Sequence, residues 1–98
     1  MLRHTVLFTW ADGVTDQQVD AMADALDARV APIDAIGAYR HGRDLGLADG
    51  NADYAIVADF ENESDYLVYR DHPDHVAVIA ETIKPLVAQR MAVQYDTE

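Results

Sequence analysis

Between Tyr69 and His75 the chain reads Tyr-Arg-Asp-His-Pro-Asp-His, placing a phenol and two imidazoles within seven residues. Proline has a fixed φ and no N–H, so Pro73 suits the first turn of a helix, where that donor would lack a partner. His72 is then the boundary residue and His75 stands in the first turn. The unpaired N–H groups of that turn carry partial positive charge, which disfavours an imidazolium. The position therefore predicts a depressed His75 pKa and a neutral ring at pH 7. A neutral imidazole accepts a proton, as a general base must. Tyr69 closes the preceding segment, within reach of the same space. The spacing is equally compatible with a His-Pro turn that only starts a helix.

Four histidines also raise the question of a metal. His72 and His75 are three apart, and His4 and His41 could approach through a sheet. Because His72 precedes Pro73 at a helix boundary, the pair need not share a helical face as two ligands would. No metal site is expected. With no cysteine in the chain, disulfides, thiolate catalysis and Cys-ligated zinc are excluded. Gly46, Gly50 and Asn51 match no phosphate-binding loop. Asp71 and Asp74, near a helix N-terminus, are read as dipole complementarity.

The elements that must position these groups follow from periodicity. Residues Arg3 to Trp10 alternate as a strand, with His4, Val6, Phe8 and Trp10 on one face and Arg3, Thr5, Leu7 and Thr9 on the other. Asp12-Gly13 is a turn. Thr15 followed by Gln18 forms a capping-box signal, and Val19, Met22, Ala23, Leu26 and Val30 then keep helical spacing until Pro32. Ile36 to Arg43 reads as a second strand, with Tyr39 and His41 on one face. Asp44 to Asp53 is a loop, and Tyr54 to Phe60 a third strand that aligns Tyr54, Ile56, Ala58 and Phe60. Asn62 or Ser64 caps a short helix through Tyr69. The helix opened by Pro73 presents Val76, Ile79, Ala80 and Ile83 and breaks near Pro85. Gln89 to Tyr95 is a fourth strand.

Ninety-eight residues, half of them apolar, make one domain spanning 1–98. The formal charge of −11, from eighteen acids against seven bases, repels phosphate backbones and anionic membranes, so neither nucleic acid nor a membrane is an expected partner. The scattered acids Asp12, Asp16, Asp20, Asp24, Asp27 and Asp34 are read as a solvated helix face. No secretory signal or membrane-length apolar run is visible, so a cytoplasmic location is expected.

Strand, helix, strand, strand, helix, strand is the order of an α+β, ferredoxin-like βαββαβ subunit, a four-stranded antiparallel sheet with helices on one face. Helices cover only one side of such a sheet. The other side includes Leu7, Val57, Met91 and Val93, which would otherwise meet water. The simplest cover is a second copy of the chain about a two-fold axis, a homodimer with facing sheets.

At this point the sequence resembles the Dabb family, the dimeric α+β barrel proteins also called stress-responsive A/B barrel domains. The likeness runs nearly end to end. It rests on Arg3-His4-Thr5-Val6-Leu7-Phe8, Asp12-Gly13-Val14-Thr15, Gly42-Arg43, the Tyr69-to-His75 stretch, Lys84-Pro85-Leu86 and Gln94-Tyr95. Some plant members are polyketide cyclases that need no cofactor, and the resemblance accordingly implies none here. It would make His75 the catalytic base and Tyr69 its assistant. His4, His72, Val6, Phe8, Ile56, Arg90 and Gln94 would line the pocket between sheet and helices. His75 would remove a proton α to a carbonyl while Tyr69 donates a hydrogen bond to the enolate oxygen. The cyclase pattern has an Asp on the last strand that can orient the histidine; here Gln94 stands there, and an amide cannot stabilise an imidazolium by charge. Arg90 shares that strand face and would disfavour a charged His75 or bind an anionic ligand group.

Three functions follow as expectations. The first is a homodimeric stress-responsive barrel binding a small hydrophobic or carbonyl-containing molecule. The second is a cofactor-independent cyclase, isomerase or lyase using His75. The third is a non-catalytic, stress-tolerant structural dimer with a filled core. The cofactor-free monooxygenases of antibiotic biosynthesis share the architecture but resemble this chain less around the His-Pro motif.

Overall fold

A computed structural model of the chain shows β1 (Leu2–Trp10), α1 (Asp16–Ala25), β2 (Ala38–Arg43), β3 (Tyr54–Phe60), α2 (Glu63–Asp71), α3 (Pro73–Val78) and β4 (Val87–Asp96). The four strands form one antiparallel sheet in the order β2-β3-β1-β4. This is the ferredoxin-like arrangement that the element order predicts.

Local chemistry accounts for the element ends. Thr15 and Gln18 close the expected capping box, the Thr15 side chain accepting from the Gln18 N–H at 3.2 Å and Gln18 Oε1 from the Thr15 N–H at 2.9 Å. Gly13 takes φ +84°, a left-handed conformation that suits the turn before α1. Of the two candidate caps for α2, Asn62 fills the role, its side chain accepting from the Asp65 N–H at 2.9 Å. Pro73 opens α3 as anticipated.

Several boundaries differ from the periodicity reading, among them β1, which begins at Leu2, and α2, which runs on to Asp71. β2 begins at Ala38 rather than Ile36, because Ile36 donates to the Ile33 carbonyl in a turn and Gly37 donates to the Asp59 carbonyl at 2.7 Å. β4 runs from Val87 to Asp96, held along its length by β1. The ends of both long helices are not α-helical. Leu26–Val30 and Ile79–Ile83 are π-helical turns, closed by Ala31 N–H to Leu26 C=O and Lys84 N–H to Ile79 C=O.

The helices lie on the sheet face that carries His4, Val6, Phe8, Tyr54, Ile56, Ala58 and Phe60, all buried. Met22, Leu26, Val30 and Val78 descend from the helices and, with Phe60, are fully buried. The opposite sheet face is bare: Leu7 is 39% exposed, Met91 62% and Val93 55%. On that face Arg3 grips its cross-strand neighbour Asp59 through two hydrogen bonds of 2.7 and 2.9 Å. The guanidinium holds the Asp59 carboxyl below its ordinary pKa. No helix is long and apolar enough to cross a membrane.

Candidate functional site

Between the sheet and the helices lies a cavity of about 360 Å³, within the size range of small-molecule sites. Its floor is the inward face of β1, where His4, Val6 and Phe8 alternate with outward residues. Ile56 faces it from β3, where it pairs with Val6. Tyr69 closes it from α2 and His75 from α3. Arg90 stands on β4 directly opposite Phe8. The structure thus brings together His75, Tyr69, His4, Val6, Phe8, Ile56 and Arg90.

His75 is buried, and its ring lies 4.1 Å from that of Tyr69, centroid to centroid, at 32°. Its Nδ1 is 3.0 Å from the carbonyl oxygen of Arg70. A carbonyl only accepts, so Nδ1 carries the hydrogen and the lone pair of the neutral ring resides on Nε2. Nε2 has no partner in the protein. The His75 pKa is lowered, as expected, but the leading cause is burial rather than the helix terminus; Arg90 and His72 push the same way, and the Arg70 carbonyl opposes them.

His4 is buried against Tyr66 and Tyr69, at centroid distances of 5.2 and 5.8 Å. Its pKa is pushed down to about 4, first by burial and then by Arg90 and His75. The Gln94 amide nitrogen sits 2.7 Å from His4 Nδ1. With the amide donating, Nδ1 accepts and the His4 hydrogen is on Nε2. The two imidazoles are therefore complementary: His75 offers a lone pair, His4 an N–H. Burial raises the Tyr69 phenol well above its ordinary pKa, keeping it a hydrogen-bond donor.

Two expected wall residues stand elsewhere. His72 does not line the cavity, because its Nδ1 accepts from the Asp74 N–H at 3.1 Å and caps α3. Gln94 does not orient His75: β4 places it opposite His4, and that is the ring it holds. His41 does not approach His4 either. Its Nδ1 meets the Tyr54 hydroxyl at 2.6 Å and its Nε2 the Asp27 carboxylate at 2.7 Å.

Tyr39, Leu26, Ile79, Ile83, Lys84 and Val87 complete the wall. Sequence reasoning placed Tyr39 on a face with His41 without connecting it to the site. Its hydroxyl is buried and has no hydrogen-bond partner in the protein, an arrangement that costs free energy unless a ligand or water satisfies it. The signal available was its inward register opposite Ala58.

A ferredoxin-like sheet with a part-open chamber under its helices, bearing imidazoles on its wall, places the chain in the class of α+β barrel proteins. The chain belongs to one family within it: the Stress responsive A/B Barrel Domain, Dabb, matches residues 2–97. A dimeric ferredoxin-like protein of unknown function from Thermobifida fusca is 47% identical, with a TM-score of 0.90 over 96% of this chain and 88% of that one. A Dabb family protein from Mesorhizobium loti is 22% identical, with a TM-score of 0.83 over 99% and 96%. A hydroxynitrile lyase from Passiflora edulis is 19% identical, with a TM-score of 0.77 over 96% and 90%. The last two likenesses bear on the fold alone. No curated protein matches the chain in sequence.

Proposed function

We propose that the protein is a homodimer whose subunits each bind a small hydrophobic, carbonyl-containing molecule in the chamber. The observation that carries this reading is the 360 Å³ cavity, whose apolar wall surrounds a few convergent polar groups: the His75 lone pair, the Tyr69 and Tyr39 hydroxyls and the His4 N–H. An apolar ketone such as 2-nonanone is the direct probe. Saturation-transfer NMR is expected to show it in contact with the protein, and Ile79→Trp, which fills the chamber from a half-buried position, is expected to abolish the transfer. Transfer that persists undiminished in a folded Ile79→Trp variant refutes the assignment.

The lone pair on His75 Nε2 favours a second reading, cofactor-independent proton abstraction of the cyclase, isomerase or lyase kind. His75 Nε2 takes a proton from the carbon α to the carbonyl, the C–H electron pair becomes the enolate double bond, and the carbonyl π pair moves onto oxygen. Tyr69 and His4 donate hydrogen bonds to that oxygen, and the proton returns from the imidazolium. In D₂O this step exchanges the α-hydrogens of the bound ketone. His75→Gln is expected to stop the exchange while binding continues.

The bare sheet face supports the dimer. Leu7, Met91 and Val93 are exposed on it, and Leu7 continues into a shallow groove with Leu45 and Leu47 of the loop between β2 and β3. The relative from Thermobifida fusca is described as dimeric. Sedimentation at micromolar concentration is expected to give a dimer, and the double substitution Met91→Asp and Val93→Asp a monomer that keeps its secondary structure. Placing carboxylates in an apolar, two-fold interface sets like charges together where they are desolvated. A wild-type monomer at that concentration contradicts the assembly.

A further inference from the structure

The seven basic side chains of this acidic chain are mostly committed to acids. Arg3 holds Asp59, Arg29 lies between Asp74 and Glu81, Arg43 holds Asp20 and Arg70 holds Asp71. Arg40, Lys84 and Arg90 have no carboxylate partner. Two of these three, Lys84 and Arg90, stand in the wall of the same cavity. They come from different elements, Lys84 from the end of the π-turn after α3 and Arg90 from β4. They are also the only exposed residues of that wall; every other lining residue is buried or half-buried. The pair therefore marks the mouth.

The arrangement is informative because acids are abundant. With eighteen acids for seven bases, an accessible cation meets a carboxylate easily. Glu81, one turn before Lys84, instead faces Arg29 at 3.5 Å. The mouth is thus a local positive potential on a negative molecule, at the entrance to an apolar chamber. Low-dielectric walls concentrate such a field at the entrance. A guanidinium offers a planar fork and an ammonium a point charge, a combination suited to one oxyanion.

We propose that the ligand is an amphiphile: an apolar body inside the chamber and an oxyanionic head held at the mouth by Arg90 and Lys84. This rests on the ligand-binding reading above and adds the chemical class of the ligand. The sheet runs from β4, which carries Arg90, across to β2, which carries the unpartnered Tyr39 hydroxyl. Three strand spacings separate them, about 14 Å, so the body is elongated. Carboxylates and phosphate monoesters share the head chemistry.

Calorimetric titration of the wild-type protein with decanoate, decyl phosphate and 1-decanol tests this. At least one anion is expected to bind about tenfold more tightly than the alcohol, the scale of a hydrogen bond to a charged group. That preference is expected to shrink with added salt. The preferred anion identifies the head. Arg90→Gln and Lys84→Gln are each expected to reduce the preference, read as the ratio of anion to decanol affinity; both positions are exposed, and a thermal melt checks folding. If decanol binds as tightly as both anions, or the preference survives the double variant, the head-group assignment is wrong and the chamber reading stands. If none of the three binds, both fall.

Discussion

Phe60→Ala is expected to cost about 3–5 kcal/mol of unfolding free energy, the usual range for an aromatic deleted from a well-packed core. Phe60 is fully buried at the end of β3. Its ring meets Tyr66 edge-on, centroids 5.6 Å apart, and Tyr69 at 5.1 Å. Removing it leaves a void that neighbours on a hydrogen-bonded strand cannot close. A domain's total stability is about 5–15 kcal/mol, so the variant stands near its threshold. The loss also reaches the site, because Tyr69 is wedged between Phe60 and His75. Urea unfolding followed by circular dichroism gives the midpoint shift. Phe60→Leu, which retains much of the volume, is expected to lose less. A Phe60→Ala midpoint within error of wild type contradicts the packing described.

Stability is expected to fall between pH 7 and pH 4 because of His4. Its ring titrates near 6.5 when unfolded and near 4 in the folded chain. Within that window the unfolded state binds more protons, so acid favours unfolding. The contribution is complete above pH 6.5 and disappears as the pH falls toward 4. At 1.36 kcal/mol per unit it amounts to about 3 kcal/mol. His75 is shifted in the same direction and adds to it. Asp59, whose pKa is lowered by Arg3, acts outside this window: its contribution is lost only below its unfolded value of 3.8. Urea midpoints measured at half-unit steps should slope upward with pH, and His4→Gln should flatten most of that slope. A flat wild-type profile, or an unchanged slope in His4→Gln, would show that burial does not hold the ring neutral.

Much of the architecture was legible because it rests on repeating chemistry. Alternation in β1 and β3, the Thr15 box and the proline at position 73 each leave a side-chain signature, and each appears where that signature lies. The bare sheet face could be read from Leu7, Met91 and Val93 for the same reason. The site was legible only in part. His75, Tyr69 and His4 converge, but what orients His75 is the Arg70 carbonyl, and a main-chain acceptor has no residue type to read. Gln94 was paired with the wrong histidine because strand register, not residue type, decides which ring it meets. His72 spends its nitrogen on the backbone, a role that the His-Pro spacing permits equally well. Lys84 entered through tertiary packing alone, and Tyr39 through the register that sets it opposite Ala58.

The two π-turns have a consequence for how this scaffold can diversify. A turn closed five residues back holds one residue more than an α-helical turn does. Leu26, Ile79 and Ile83, three of the hydrophobic side chains that set the chamber's gauge, all belong to such turns. Deleting one residue from either turn rewinds it to ordinary helix and rotates its side chains about 100° around the axis. A single-residue deletion in either turn is therefore expected to change the width of the chamber while leaving every rung of the sheet ladder untouched.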